Sequence, residues 1–290
     1  MTRAGTAWAR WVAWCGREED ARAQALVRVL APLMIVLDLG RAWQLGLLET
    51  LFRPYAAGGI NKLRDSAFVL DLWLSDDVAG LAAVGVTLVS FSLASAGLAA
   101  RPALIVGVLA YAQVGHLFPP GDRAIDRILR TVLLLWAFGQ SHRRWSLSPQ
   151  PALARVPAWP ADVARFLMVL IYLSAGVGKL MVEPAWLAWS GTPVLYRVMT
   201  DPLAAHLDPV AMQAWFVPLR FMGWATIALE LSAPLILTRW VRWWAIPGAI
   251  MHLGIHAAMD LGMFSWGMLS LYPLLWTRAE ATEARDPARA

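Results

Sequence analysis

A lysine placed in an apolar run is the first residue that has to be accounted for. From Val163 to Val182 the sequence is almost wholly apolar or small, and past Arg165 its only charges are Lys179 and, just beyond the end, Glu183. An ammonium near a bilayer core is costly and therefore marks a functional position by default. A desolvated amine can be held neutral and can then take a proton as a general base. The other reading is a lysine that snorkels from its helix end to the headgroups. Position alone leaves both open. Glu230 lies inside a later apolar run, with Arg220 near one end of it. A carboxylate facing lipid is disfavoured, so Glu230 is expected to face the protein interior, paired with a basic or hydroxyl group or held neutral. His252 and His256 are spaced i,i+4 on one helical face, with Asp260 a turn further. That spacing can hold a metal or a haem, but it lacks the acid between histidines of the HExxH type. The pair can equally form interhelical hydrogen bonds. Trp186, shortly after Lys179, completes the set. Lys179 and His252 are the candidate catalytic residues; Trp186, Arg220, Glu230 and His256 are the candidate substrate-binding residues.

These residues must be positioned by membrane helices. Of the 290 residues, 59% are hydrophobic and 16% charged, whereas soluble domains are about 25% charged. Several runs reach the length of a membrane span. The expected fold class is all-α: a polytopic bundle of about eight transmembrane helices plus short interfacial helices. Seventeen tryptophans suit indoles at membrane interfaces, and a net charge of +5 suits anionic headgroups. The arginines are scattered among loops, with no basic cluster interleaved with aromatics, so nucleic acid is not an expected partner. The single Cys15 excludes an intrachain disulfide and a multi-cysteine metal site.

Three segments follow from this pattern: 1–24, an N-terminal cytoplasmic or interfacial helix; 25–277, the membrane bundle; and 278–290, a short charged tail. Met1 to Arg22 has no uninterrupted apolar core with a cleavage site behind it, so a cleavable leader is not expected. Trp8, Trp11, Val12 and Trp14 with Arg10 and Arg17 read as an interfacial helix, or else as a disordered tail. The expected spans are Ala25 to Leu48, Val78 to Ala100, Ala103 to Phe118, Asp122 to about Gly139, Val163 to Val182, Gln213 to Leu237, Ala245 to Met259, and a last one ending near Trp276. Phe68, Leu70, Leu72 and Trp73 suggest that part of the Glu49 to Asp77 connection lies on the membrane. Arg101-Pro102 reads as a tight break, Asp38 and Arg41 as i,i+3 partners, and Asp126 and Arg130 as i,i+4 partners at a charged helix end or an anion site.

With these residues in view, the sequence resembles a known family. Ala175-Gly176-Val177-Gly178-Lys179-Leu180, with Trp186 and Gly191 after it, is similar to the lysine motif of the horizontally transferred transmembrane (HTTM) domain family, which includes vitamin K-dependent gamma-glutamyl carboxylase. Glu230-Leu231-Ser232-Ala233-Pro234 resembles the family too. So does His252 followed by Gly262-Met263-Phe264-Ser265 and Met268-Leu269. The resemblance is strongest from Arg165 to Pro273. It implies an eight-span bundle whose active site opens outward, with Lys179 as the base that takes a proton from a reduced quinone. The implied activity is quinol-dependent and carboxylase- or epoxidase-like, with a vitamin K hydroquinone-like cofactor and no metal. A neutral His252 close to Lys179 is expected to orient substrate or stabilise an oxyanion. Implied partners are the bilayer, a lipid-soluble quinone and a separate protein or peptide substrate.

Two alternatives remain at this level. One is a redox, metal or haem protein using His252 and His256. The other is a non-catalytic membrane partner of a separately encoded protein, because the carboxylase has a large lumenal portion and this sequence ends at Ala290, close behind Trp276.

Charge asymmetry orients the chain as a multi-pass protein of the cell membrane. With eight spans and both termini in the cytoplasm, the inner segments hold Arg3, Arg10, Arg17, Arg22, Arg101, Arg143, Arg144, Arg155, Arg239, Arg242, Arg278, Arg285 and Arg289. The outer segments hold Arg53, Lys62, Arg64, Arg123, Arg127 and Arg197. Single cysteines replacing Arg143 and Arg197 in a Cys15→Ala background are therefore expected to react with an impermeant thiol reagent from the cytoplasmic and the outer side respectively. Labelling of position 197 from the cytoplasm alone reverses the assignment.

Overall fold

The computed structural model describes residues 3–53, 58, 76–181, 184–201 and 207–277. The surface segment expected around Phe68 to Trp73, the residues Glu183 and His206, and the charged tail lie outside them. The chain is mostly helical and divides at Pro160 into two compact units.

The first unit contains α1 (Arg3–Cys15), β1 (Glu18–Asp20), α2 (Ala21–Gln44), α3 (Leu47–Phe52), α4 (Asp76–Ala96), α5 (Ala100–Leu117), α6 (Ala124–Phe138) and β2 (Arg155–Pro157). α1 is helical as expected for an interfacial segment, with the Trp8 and Trp11 rings exposed. β1 and β2 form a short antiparallel ladder in which Glu19 faces Val156. The Asp20 carboxylate caps α2 by accepting from the backbone N–H of Arg22, so the helix starts four residues before the expected Ala25.

Arg28 on α2 holds this unit together. It is fully buried, and its terminal nitrogens donate to the carbonyls of Ala94 and Ser95 at the end of α4 and to those of Arg144 and Trp145 in the loop after α6. The cation thus satisfies orphan carbonyls at a helix C-terminus, where the macrodipole also favours it. Truncating such a side chain would strand buried acceptors, a loss of about 3 kcal/mol. The break between α4 and α5 falls at Gly97 to Ala99, ahead of the expected Arg101-Pro102. Gly97 has φ +78°, and the Leu98 N–H reaches back to the Leu93 carbonyl. This is the hydrogen-bonding geometry of a left-handed helix cap, and Pro102 is tolerated because it sits in the first turn of α5.

One ion pair differs from expectation. Asp126 accepts from Arg123 and from the Tyr111 hydroxyl, while Arg130 donates to Asp122. Asp38 is reached by Arg123 from the far end of the unit's sequence. The i,i+4 spacing of Asp126 and Arg130 was correct as geometry, but Asp126 is taken by Arg123, three residues before it, and by the Tyr111 hydroxyl, and Arg130 by Asp122.

The second unit contains α7 (Trp159–Met181), which begins at the division, then α8 (Val194–Met199), α9 (Pro209–Met212), α10 (Phe216–Leu231), α11 (Val241–Ala258) and α12 (Phe264–Leu269). A 3₁₀ turn, Pro184–Trp186, follows α7, and another, Ala233–Leu237, extends α10. The last expected span is interrupted: α12 ends at Leu269, a turn covers 270–272, and a short helix occupies 273–277. Pro273 lacks the N–H that a continuous helix needs.

Among the described residues, three helices, Ala21–Gln44, Val78–Ala96 and Trp159–Met181, are long and apolar enough to cross a bilayer. The longest, 24 residues, extends about 36 Å, more than the roughly 30 Å of a hydrocarbon core. Large apolar side chains such as Val89, Phe138, Phe166 and Ile250 are exposed on the helices. Such a surface suits acyl chains and not water, and the chain is a membrane protein.

His142 lies in the polar loop after α6, partly buried in the turn Ser141–Arg143. Burial lowers its affinity for a proton, and repulsion from Arg101, Arg143 and Arg28 lowers it further. The unfolded chain protonates this histidine near pH 6.5, the folded chain only at lower pH. Stability is therefore expected to fall as pH drops below about 6.5. The unfolding temperature in detergent is expected to decrease between about pH 7.5 and 5.5, and His142→Gln to flatten that slope. An unchanged slope in the variant assigns the acid sensitivity to another group.

Candidate functional site

The candidate residues are collected along one face of α7. Arg165, Met168, Tyr172 and Gly176 are buried and Lys179 is partly so, at intervals of three and four residues that place them in one stripe. Three polar contacts follow this stripe, each about two helical turns from the next.

At its start, Arg165 donates to the Leu274 carbonyl at 3.1 Å and pairs with Asp162 at 2.8 Å. The carbonyl belongs to the short 273–277 helix, so the arginine anchors the interrupted C-terminal segment.

In the middle, the Tyr172 hydroxyl lies 2.6 Å from His252 Nε2 and 3.2 Å from the Tyr272 hydroxyl. The Tyr172 ring packs edge-on against Trp244, whose indole N–H donates to the Leu229 carbonyl at 2.9 Å. Gly248 makes room for this cluster, because a Cβ there would lie 2.5 Å from the Tyr272 hydroxyl. His252 Nδ1 is buried without a hydrogen-bond partner. The triad is a short hydrogen-bonded chain along which a proton can be relocated, with the imidazole tautomer setting its direction.

At the end, Lys179 Nζ donates to both Glu230 oxygens, at 2.7 and 2.9 Å. Its ammonium also lies 5.3 Å from the centre of the Trp186 ring, within cation–π range. The Glu230 side chain is 8% exposed and that of Lys179 21%. Gly176 allows this pair to form: a Cβ there would approach the Glu230 Cβ to 3.0 Å and the Leu231 backbone nitrogen to 3.1 Å. An added side chain would force α7 and α10 apart by a few tenths of an ångström. Glu230 is thus buried and ion-paired, as a carboxylate inside an apolar helix is expected to be.

His252 is not paired with Lys179. It is bonded to Tyr172, which lies seven residues, or about 10 Å along the helix, before the lysine. His252 and His256 also do not converge on one ligand position: His256 Nε2 instead lies 3.3 Å from the Trp266 indole nitrogen. Among the described residues, no group of three or more His, Cys, Asp or Glu could hold a metal ion. Arg220 stands apart, donating to the Gly191 carbonyl at 2.6 Å and lying over Trp189. Tyr172, Tyr272 and Trp244 were missed in the sequence. Tyr172 was detectable, since it shares the helical face of Lys179. Tyr272 and Trp244 carried no local signal, because their roles depend on contacts between helices.

The ion pair predicts strong coupling between its members. Glu230→Gln is expected to lower stability by about 2 kcal/mol, because a half-buried ammonium loses its counter-charge. Lys179→Met combined with Glu230→Gln is expected to cost less than the sum of the two single changes, which thermal unfolding in detergent can measure. Simple additivity would mean that the pair contributes nothing.

No curated protein matches the chain, and neither does any solved structure. A family model does: that of the HTTM domain, over residues 128–279. The match covers more than half of the 290-residue chain and includes the whole α7 stripe, Trp186, Arg220, Glu230 and both histidines. On this ground, and with apolar helices carrying a lysine–glutamate pair, the chain belongs to the HTTM domain family.

Proposed function

We propose that this protein is an integral membrane enzyme in which Lys179 acts as a base toward a reduced quinone or a similar weakly acidic, lipid-soluble hydroxyl compound. The observation that carries this reading is the bidentate Lys179–Glu230 pair beneath Trp186. A base must first lose its own proton, and a carboxylate 2.7 Å away is a ready acceptor. Transfer from ammonium to carboxylate replaces two buried charges with two neutral groups, which a low-dielectric site tolerates better. The free amine then takes the substrate hydroxyl proton, giving a substrate oxyanion and an ammonium that stabilises it. Trp186 offers a flat apolar surface for an aromatic ring. When bound, a vitamin K hydroquinone-like molecule would supply the oxidisable ring, and carboxylation or epoxidation would be the kind of reaction that follows. The arrangement that suits this reading is a bundle of about eight spans with both termini cytoplasmic and Lys179 toward the outer side.

The test uses purified protein in lipid nanodiscs supplied with a reduced naphthoquinone, with oxygen uptake and quinone products as readouts. Lys179→Met keeps the side-chain length and removes the amine. It is expected to fold and to lose at least about 100-fold in turnover. Lys179→Arg is expected to fail as well, because guanidinium stays protonated. A lysine that merely snorkels to the headgroups predicts the reverse, with arginine working as well as lysine. Turnover retained in the Arg variant overturns the proposal.

A further inference from the structure

Arg220 and Trp224 lie one turn apart on α10, at i,i+4, and therefore share a face. Both present a buried N–H with nothing to donate to: Arg220 Nε and Trp224 Nε1 are shut off from solvent and have no hydrogen-bond partner. Trp189 covers both. The Arg220 guanidinium lies 5.3 Å from its ring centre, and the Trp189 and Trp224 ring centres are 5.6 Å apart. Phe221 closes the cluster with edge-on contacts to both indoles.

Arg220 makes one hydrogen bond, to the Gly191 carbonyl, and among the described residues no carboxylate pairs with it. The contrast is Arg28, whose Nε is likewise unpartnered but whose two terminal nitrogens are spent on four carbonyls. Arginine and tryptophan side chains can only donate, so this cluster holds a positive charge and free donors and lacks an acceptor. A water would satisfy an N–H but would leave the charge unbalanced; an oxyanion satisfies both.

We infer that Arg220 and Trp224 form a site for a phosphate group, taken from an anionic lipid headgroup. The surroundings select a lipid over a soluble phosphate. Trp189, Phe221 and Val217 are more than half exposed around the cluster and offer an apolar surface to acyl chains. Arg220 also sits in the second turn of an apolar helix with tryptophans beside it, and arginine and tryptophan are the side chains that suit contact with headgroups. Trp189, exposed and outside any helix, can tilt aside to admit the phosphate without disturbing the packed core. Gly191, with φ +77°, keeps its carbonyl on the guanidinium and so fixes the direction of the remaining donors. The site is independent of the chemistry proposed for Lys179.

The experiment is native mass spectrometry of the detergent-solubilised full chain with added phosphatidylglycerol or phosphatidylcholine. The wild type is expected to retain phosphatidylglycerol about tenfold better than the zwitterionic lipid. Arg220→Gln is expected to lose that preference. Trp224→Phe keeps the ring and removes the N–H, and is expected to weaken retention about threefold. Its unfolding temperature should match that of the wild type, so it carries the test if the arginine variant folds poorly. Lys179→Met is expected to bind phosphatidylglycerol normally. Equal retention by the wild type and both Arg220→Gln and Trp224→Phe overturns the site. Full displacement of phosphatidylglycerol by millimolar inorganic phosphate overturns the lipid source.

Discussion

An ammonium and a carboxylate persist together in an apolar interior only when they touch, and they touch only if their helices approach closely. In the second unit this constraint falls on Gly176, where any side chain would meet the Glu230 Cβ and the Leu231 backbone. The approach brings Glu230 within 2.7 Å of Lys179. It also sets the height of Leu229, whose carbonyl takes the Trp244 indole proton, and Trp244 in turn backs the Tyr172 ring. The ion pair and the tyrosine–histidine triad are therefore coupled through one close helix crossing, although no direct hydrogen bond joins them. A site built this way is rigid where charge must be controlled.

The first unit meets the same problem with other means. Arg28 neutralises the carbonyl end of α4 and ties in the loop at Arg144 and Trp145. Asp38, Arg123, Asp126 and the Tyr111 hydroxyl form a second network, in which each carboxylate has a donor. Every one of these charges is compensated by more than one partner, which reflects how costly an uncompensated charge is away from water. In the second unit, Arg220 donates to one carbonyl, that of Gly191, and among the described residues no carboxylate pairs with it.

Much of this was legible in the chain itself. Apolar runs of membrane length, a low charged fraction and many tryptophans follow directly from the free energy of partitioning into lipid, and they gave the helical membrane class without reference to contacts. The same energetics singled out Lys179 and Glu230, since a charged residue within an apolar run must be paired or functional. The order of the Lys179, Glu230 and His252 blocks carried the family, which the HTTM domain match then established. Helical periodicity is also enough to put Tyr172 and Gly176 on the face of Lys179, a signal that was not used.

The choice of partner was decided only by the tertiary structure. From spacing, Asp126 suited Arg130, and His252 was expected beside Lys179. In the fold Asp126 takes Arg123 and Tyr111, Lys179 takes Glu230, and His252 takes Tyr172. The last apolar run also divides around 270–272, and the short helix behind that turn gives Arg165 the Leu274 carbonyl to bond. The physical reason is the same throughout. Partition energy is a property of each segment and can be read residue by residue. A hydrogen bond or ion pair depends on which helices cross, at what distance and at what height, and small residues such as Gly176 and Gly248 settle that only once their neighbours are in place.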